Sequence, residues 1–323
     1  MYYVLSGAHI HLIWGEIRHM HWGWVSVAVV SDILVFMLQS WRWHLILMPV
    51  EDVTFWTCVR AIYVGLFANE VLPLRAGELI RCFLITRWSP VPLSVSFASA
   101  LIERIFDGVW LMGCFFVTLG LVELPHVLER AGYILGIIIF IAALILGFGM
   151  YAKRQSIDLF FGFTFPGWFN TLVEDLHAIG HSRYLYLSFF ASGAFLLTQI
   201  VPIYAVMRAY GLDLDLPWTT SFAMMVLLRL SAVVPQAPGN LGLFQGIAFR
   251  TLTLFGIYGA VAKRFSFILW AVVTVPLILV GFLMLLITGI NMTHLHRQAM
   301  SAAETQRNGG DAGKSGKLTS GSK

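Results

Sequence analysis

Between Asn69 and Asp107 an otherwise greasy chain carries Glu70, Arg75, Glu78, Arg81, Arg87, Glu103, Arg104 and Asp107. An ionised side chain at membrane depth costs roughly 2.5–3.5 kcal/mol even on lenient scales, so such residues face a bundle interior or a wet cavity. There they pair with one another or bind something charged. Arg87, just ahead of Trp88-Ser89-Pro90, reads instead as an interfacial helix end. Glu103 and Asp107 are four apart with Arg104 between them, so the three can line one broad helix face. Glu78 and Arg81, three apart, can share a face of the preceding helix. Packing those faces together pairs Arg104 with Glu78 or Asp107. A carboxylate left over could carry a proton, which would couple the site to protons.

The elements that position these residues are transmembrane helices. Of 323 residues, 58% are hydrophobic and 12% charged, against about 25% charged in soluble domains. Runs of about twenty apolar residues cross a bilayer. They occur at Trp22–Leu47, Ser94–Leu121, Ala131–Tyr151, Tyr184–Tyr210 and Phe265–Ile290. Two further apolar segments, Thr54–Arg87 and Thr219–Phe255, are interrupted, one at Pro73 and Gly77, the other at Pro235, Pro238 and Gly239. Residues 1–21 read as an interfacial segment crowded with histidines, and 22–292 as the membrane domain. That domain divides into halves at about 22–152 and 184–292 joined by a connector at 153–183; residues 293–323 read as a disordered tail. The Lys and Arg residues of the loops place the C-terminus in the cytoplasm if both interrupted segments are re-entrant hairpins, with Lys263-Arg264 as the single violation. Trp41-Arg42-Trp43-His44 reads as an aromatic and basic interface marker.

The two breaks resemble each other. Val71-Leu72-Pro73-Leu74-Arg75-Ala76-Gly77-Glu78-Leu79 lies on Val233-Val234-Pro235-Gln236-Ala237-Pro238-Gly239-Asn240-Leu241 with Pro, Gly and Leu at equal spacing. Matching breaks in corresponding halves are a sequence pointer to a transporter site. The expected fold is therefore all-α: a polytopic helical bundle with two broken or re-entrant hairpins, arranged as inverted repeats. New half-helices starting near Arg75 and near Asn240 would offer backbone N–H groups and a positive dipole end to an anion such as a lipid phosphate. Gly242, Gly246 and the Gly256–Gly259 stretch read as close-packing positions.

LPLRAGELIR, then LIERIFD, then VPQAPGNLGLFQG resembles, in that order, the membrane domain of lysylphosphatidylglycerol synthases. This flippase-like family includes stand-alone members associated with hopanoid biosynthesis. The resemblance runs from about Trp41 to Ile290 and implies movement of a phospholipid or lipid-linked head group between leaflets. It carries over Pro73, Arg75, Gly77 and Glu78, then Glu103, Arg104 and Asp107, then Pro235, Pro238, Gly239 and Gly242. Two features depart from the pattern. The N-terminus is short and His-rich where members often have a further span, and Gln245 stands where many relatives are expected to be acidic. No synthase-like stretch follows Ile290, which argues against lipid aminoacylation by this chain alone.

The expected function is lipid translocation in a bacterial inner membrane, with Arg75, Glu78, Arg81, Glu103, Arg104, Asp107 and Asn240 binding the substrate. The expected partners are membrane lipids, and no nucleic acid. One alternative is an integral membrane glycosyl or acyl transferase using Glu103 and Asp107 as acid and base. Another is a scaffold for a lipid-modifying enzyme. No cofactor or metal is expected: Cys58, Cys82 and Cys114 are widely spaced, and no Asp-rich metal motif, Ser/His/Asp set or Cys/His pair is visible.

Overall fold

A computed structural model describes residues 10–72, 76–123, 126–151, 182–210, 216–232 and 238–289. Within them every regular element is helical. They are α1 (Ile10–His19), α2 (Trp22–Leu47), α3 (Phe55–Val71), α4 (Gly77–Trp88), α5 (Leu93–Leu121), α6 (His126–Tyr151), α7 (Arg183–Thr198), α8 (Ile200–Ala209), α9 (Trp218–Ser231), α10 (Leu243–Leu254) and α11 (Gly259–Thr288). A 3-10 turn, Pro238–Asn240, precedes α10. The connector at 153–183 falls almost entirely outside the described residues, as do the tail and the loop tips that hold Pro73, Arg75 and Pro235.

Among the described residues four stretches are long and apolar enough to cross a membrane: Trp22–Leu47, Glu129–Gly147, Arg183–Ala209 and Gly259–Thr288. Helix α5 has the length, 29 residues, but carries Glu103, Arg104 and Asp107. The arms of the interrupted segments are shorter: 17 and 12 residues in α3 and α4, 14 and 12 in α9 and α10. Each falls short of the twenty or so that a helix needs to span.

Local chemistry places the breaks. Leu72, which precedes a proline, is extended at φ −90°, ψ 144°, because proline crowds the helical conformation of its predecessor. Pro202 has no N–H to give Thr198, and the helix is interrupted there, between α7 and α8. At the second break Gly239, Asn240 and Gly242 take φ of 71°, 55° and 96°, a left-handed turn that glycine enters without steric cost. Gly256 and Gly259 also have positive φ, at 84° and 71°. A Cβ at Gly246, Gly256 or Gly259 would meet nothing within 4 Å. The close-packing reading of these glycines is therefore corrected; they shape the backbone or stand open. Close approach occurs instead at Gly281, where a Cβ would sit 2.7 Å from the Tyr63 carbonyl oxygen and 2.6 Å from Phe67 Cβ.

Each interrupted segment folds back on itself, α3 against α4 and α9 against α10. The packing then repeats. Helix α2 lies on α3 as α8 lies on α9, and α4 on α5 as α10 lies on α11. Across the halves, α3 meets α11 as α9 meets α5. The related elements run in opposite directions. The His21 N–H, at the start of α2, donates to the Ala209 carbonyl at the end of α8 (2.9 Å), while Arg42 near the end of α2 reaches Ser192 of α7 (3.2 Å). Opposed directions with conserved neighbours are the geometry of an inverted repeat.

Outside this frame, α1 is held by Glu16, which accepts from the Tyr210 hydroxyl (2.5 Å) and pairs with Arg264. Burial, with the Glu16 carboxylate beside it, holds the Tyr210 hydroxyl above its usual range. Arg264 and Lys263 lie in the first turns of α11, not in a loop ahead of it, which corrects the Phe265 start.

Gly281→Ala is expected to lower stability by about 1–3 kcal/mol through overpacking, read as an earlier thermal transition in detergent. Gly113→Ala, where a Cβ meets nothing within 4 Å, is expected to show no such loss.

Candidate functional site

The centre of the polar site is Arg42, which the sequence places at an interface and the structure buries completely. Its Nε and Nη2 donate to Glu103 Oε1 at 3.1 and 2.8 Å. Its Nη1 bonds Asp107 Oδ1 and donates to Ser192 Oγ at 3.2 Å, and the guanidinium lies 4.8 Å from the Phe195 ring centre. Glu103 and Asp107 are one helical turn apart on α5, so a single planar fork reaches both.

Glu103, also fully buried, turns its other oxygen to Arg81 of α4, with Oε2 2.5 Å from Nη2. Arg81 lies over the Trp43 ring, 4.9 Å from its centre. Trp43 is fully buried and donates Nε1–H to Ser99 Oγ at 2.9 Å, so it is a wall of the site and not a belt residue. Trp41, 38% exposed, does suit the interface. The Arg81 Nε and Nη1 groups have no acceptor although they are enclosed. The ion pair holds Arg81 by charge and leaves donors uncommitted.

One turn outward, Arg104 forks onto Glu78: its Nε donates to Oε2 at 3.0 Å and its Nη2 pairs with Oε1. Both side chains are near half exposed, 44% and 40%, and Arg104 also comes within 4.0 Å of Asp107. The expected α4–α5 face pairing is thus present, with Glu78, Arg81, Glu103, Arg104 and Asp107 in one network. Three arginines balance three carboxylates, which spares the interior an unpaired charge.

The hairpin ends complete the surroundings. Helix α4 begins at Gly77, with Ala76 as its N-cap, and the Gly77 N–H donates to Asn69 Oδ1 at 2.8 Å. Helix α10 begins at Leu243, and the Gly242 N–H ahead of it donates to Gln245 Oε1 at 2.6 Å. Asn240 is therefore in the turn and not at a helix start. Its Nδ2 donates to Glu70 Oε1 at 3.0 Å and joins the two hairpins. Gly239 offers its carbonyl to Trp270 Nε1 at 2.7 Å, and Pro238 opens the turn. Part of the backbone hydrogen-bonding capacity expected to receive an anion is thus met inside each hairpin. Arg75, Pro73 and Pro235 lie outside the described residues.

The sequence reading missed Arg42, because the aromatic and basic residues around it mimic a helix end. It also passed over Asp32 and Arg229, whose signal was available: each is a charge inside an apolar segment. Among the described residues no group of three or more His, Cys, Asp or Glu is placed to hold a metal ion.

The family model for the lysylphosphatidylglycerol synthase TM region matches residues 1–290. The chain belongs to that family. It is 22% identical to a UPF0104 membrane protein of Methanothermobacter thermautotrophicus over 294 residues, 83% of each chain. A UPF0104 membrane protein of Methanocaldococcus jannaschii is also 22% identical, over 74% of this chain and 77% of its own. Glycosyltransferase AglD of Haloferax volcanii is 27% identical over 266 residues, 70% of this chain. The match spans 42% of AglD, less than half of that protein.

Arg42→Met is expected to cost about 3–5 kcal/mol, because it strands buried Glu103 and Asp107 with one cation fewer. The double variant Arg42→Met/Asp107→Asn leaves the Glu103–Arg81 and Glu78–Arg104 pairs matched and should recover most of that loss. Unfolding of both in detergent with a graded denaturant measures the difference.

Proposed function

We propose that this family member is a lipid translocator, passing the anionic head group of a phospholipid or lipid-linked substrate between leaflets through the polar region between its hairpins. The observation that carries the reading is Arg81: a buried guanidinium with Nε and Nη1 lacking acceptors, beside a hairpin in the middle of a bilayer-spanning fold. A phosphate oxygen is the partner such donors suit. The exposed Glu78–Arg104 fork offers a first contact, since Arg104 can exchange Glu78 for a phosphate without exposing a buried charge. The opposed halves, whose hairpins meet at Glu70 and Asn240, suit access from one leaflet and then the other. We place the chain in the plasma membrane with a cytoplasmic C-terminus, as its loop Lys and Arg residues favour.

A second reading is favoured by the likeness to AglD: a membrane module serving, or forming part of, a transferase that acts on a lipid-linked sugar. Glu103 and Asp107 are poor acid and base for that chemistry here, since both are held by Arg42.

In proteoliposomes, exchange of fluorescent phosphatidylglycerol between leaflets is expected with the parent protein. Arg104→Gln should slow it about tenfold, the equivalent of one charge-assisted hydrogen bond. Arg75→Ala should do likewise. Folded protein that exchanges no anionic lipid would sink the translocator reading, and the assay to follow would look for modified lipid.

A further inference from the structure

The balance of three arginines and three carboxylates does not include Arg229, in the last turn of α9 just ahead of the second break. Its Nε donates to Gln199 Oε1, and its guanidinium lies 5.4 Å from the centre of the Phe195 ring. Arg42 lies 4.8 Å from the centre of the same ring. The two guanidiniums are held in opposite ways. Arg42 is neutralised by Glu103 and Asp107. Arg229 has an amide and an aromatic face, which attract a cation without cancelling its charge. No described group accepts from its Nη1 or Nη2.

The helices packed most closely on α9, which are α5, α8 and α10, supply it with no carboxylate. On α5, Glu103 and Asp107 are taken by Arg42, and Arg104 is paired with Glu78. On α8 the charge is Arg208, bonded to the Tyr204 hydroxyl at 2.9 Å, and on α10 it is the exposed Arg250. Asp32, buried on α2, forms no ion pair with Arg229. The costs of exchange differ accordingly. Drawing Arg42 onto a ligand would strand two carboxylates, whereas drawing Arg229 off Gln199 frees one neutral acceptor, a far smaller loss. Arg229 is half-buried, and a guanidinium with both terminal nitrogens uncommitted is the planar fork that two phosphate oxygens fit.

We propose that Arg229 is a second anion-binding residue, contributed by the other half of the fold, and that its ligand is the phosphate of an anionic lipid head group. Nη1 and Nη2 take two phosphate oxygens, and Gln199 holds the side chain when no anion is bound. The site is distinct from the one at Arg81. Arg81 and Arg42 meet at Glu103, and Arg42 and Arg229 at Phe195, so the Arg42 cluster lies between the two. Arg81 belongs to the arm that leaves the first break and Arg229 to the arm that enters the second. Each half thus offers the head group one guanidinium. Binding at Arg229 stands on this local chemistry; its part in transfer between leaflets rests on the translocator reading.

Calorimetric titration of short-chain phosphatidylglycerol into the full chain in a neutral detergent tests the site without transport. Arg229→Gln is expected to weaken one saturable component about tenfold, the equivalent of one charge-assisted hydrogen bond. Arg229→Lys, which keeps the charge and loses the fork, should weaken it less. Gln199→Leu removes the competing acceptor and should tighten binding about threefold. Binding that Arg229→Gln leaves unchanged would overturn the proposal. So would a loss in Gln199→Leu as large as that in Arg229→Gln, since the pair would then be a structural tie. Inorganic phosphate, titrated in the same way, should bind at least tenfold more weakly than the lipid. Arg229-dependent binding of the free anion that is just as tight overturns the lipid assignment. Leaflet exchange is the second arm: exchange lost in Arg229→Gln supports a part in transfer, and exchange retained there overturns that part. Protein that binds phosphatidylglycerol through Arg229 yet exchanges none sinks the translocator reading and leaves the anion site standing.

Discussion

The Arg42–Glu103 pair is the contact on which the interior depends. Both groups are fully buried, and each would be costly alone: taking a charge out of water carries a penalty of several kcal/mol that only good geometry recovers. The geometry is good because every element around the pair supplies something. Helix α2 contributes the guanidinium, α5 two carboxylates one turn apart, α4 a second guanidinium, and α7 a hydroxyl and an aromatic face. Trp43 ties the same place to Ser99. A purely apolar interface would let these helices slide by a residue at small cost. This one has a single register in which all the charges are matched.

The hairpins solve the companion problem, that of helix ends away from water. Unpaired backbone groups in hydrocarbon cost several kcal/mol each, so irregular backbone survives there only with partners. Asn69 serves the Gly77 N–H and Gln245 the Gly242 N–H, each from within its own hairpin. The Asn240–Glu70 bond joins one break to the other. Part of the dipole-end capacity that an anion might have used is therefore already committed. Arg81 keeps buried donors without acceptors and Arg104 is half exposed, and this moves the proposed head-group contact from the backbone to these two side chains.

The halves share a packing plan but not a charge plan. On α3 to α5 the first half carries Glu78, Arg81, Glu103, Arg104 and Asp107; the turn and helix after the second break offer Asn240 and Gln245. On the translocator proposal, the first half supplies the charged contacts of Arg81 and Arg104 for the head group. Arg229 is a cation of the second half, and its Nε donates to Gln199 Oε1 while its guanidinium lies 5.4 Å from the Phe195 ring centre.

Much of this was legible from residue type and spacing. Continuous apolar runs of bilayer length specify helices because a helix satisfies its backbone groups within the one segment, and Pro73, Pro235 and Pro238 mark the breaks because proline cannot continue a helix. The i, i+3 and i, i+4 spacings put Glu78 with Arg81 and Glu103 with Asp107 on shared faces, and the Arg104–Glu78 pair followed from bringing those faces together. What the sequence by itself could not determine was which distant residue completes the set. Arg42 is 61 residues from Glu103, and its Trp-rich surroundings have the composition of a helix end at the interface. Only the packing of α2 against α5 and α7 decides that it is an interior cation, because burial is a property of neighbours and not of the residue. The same holds for the glycines, where sequence shows a small residue but the fold decides whether it admits a neighbour, as at Gly281, or bends the chain, as at Gly242.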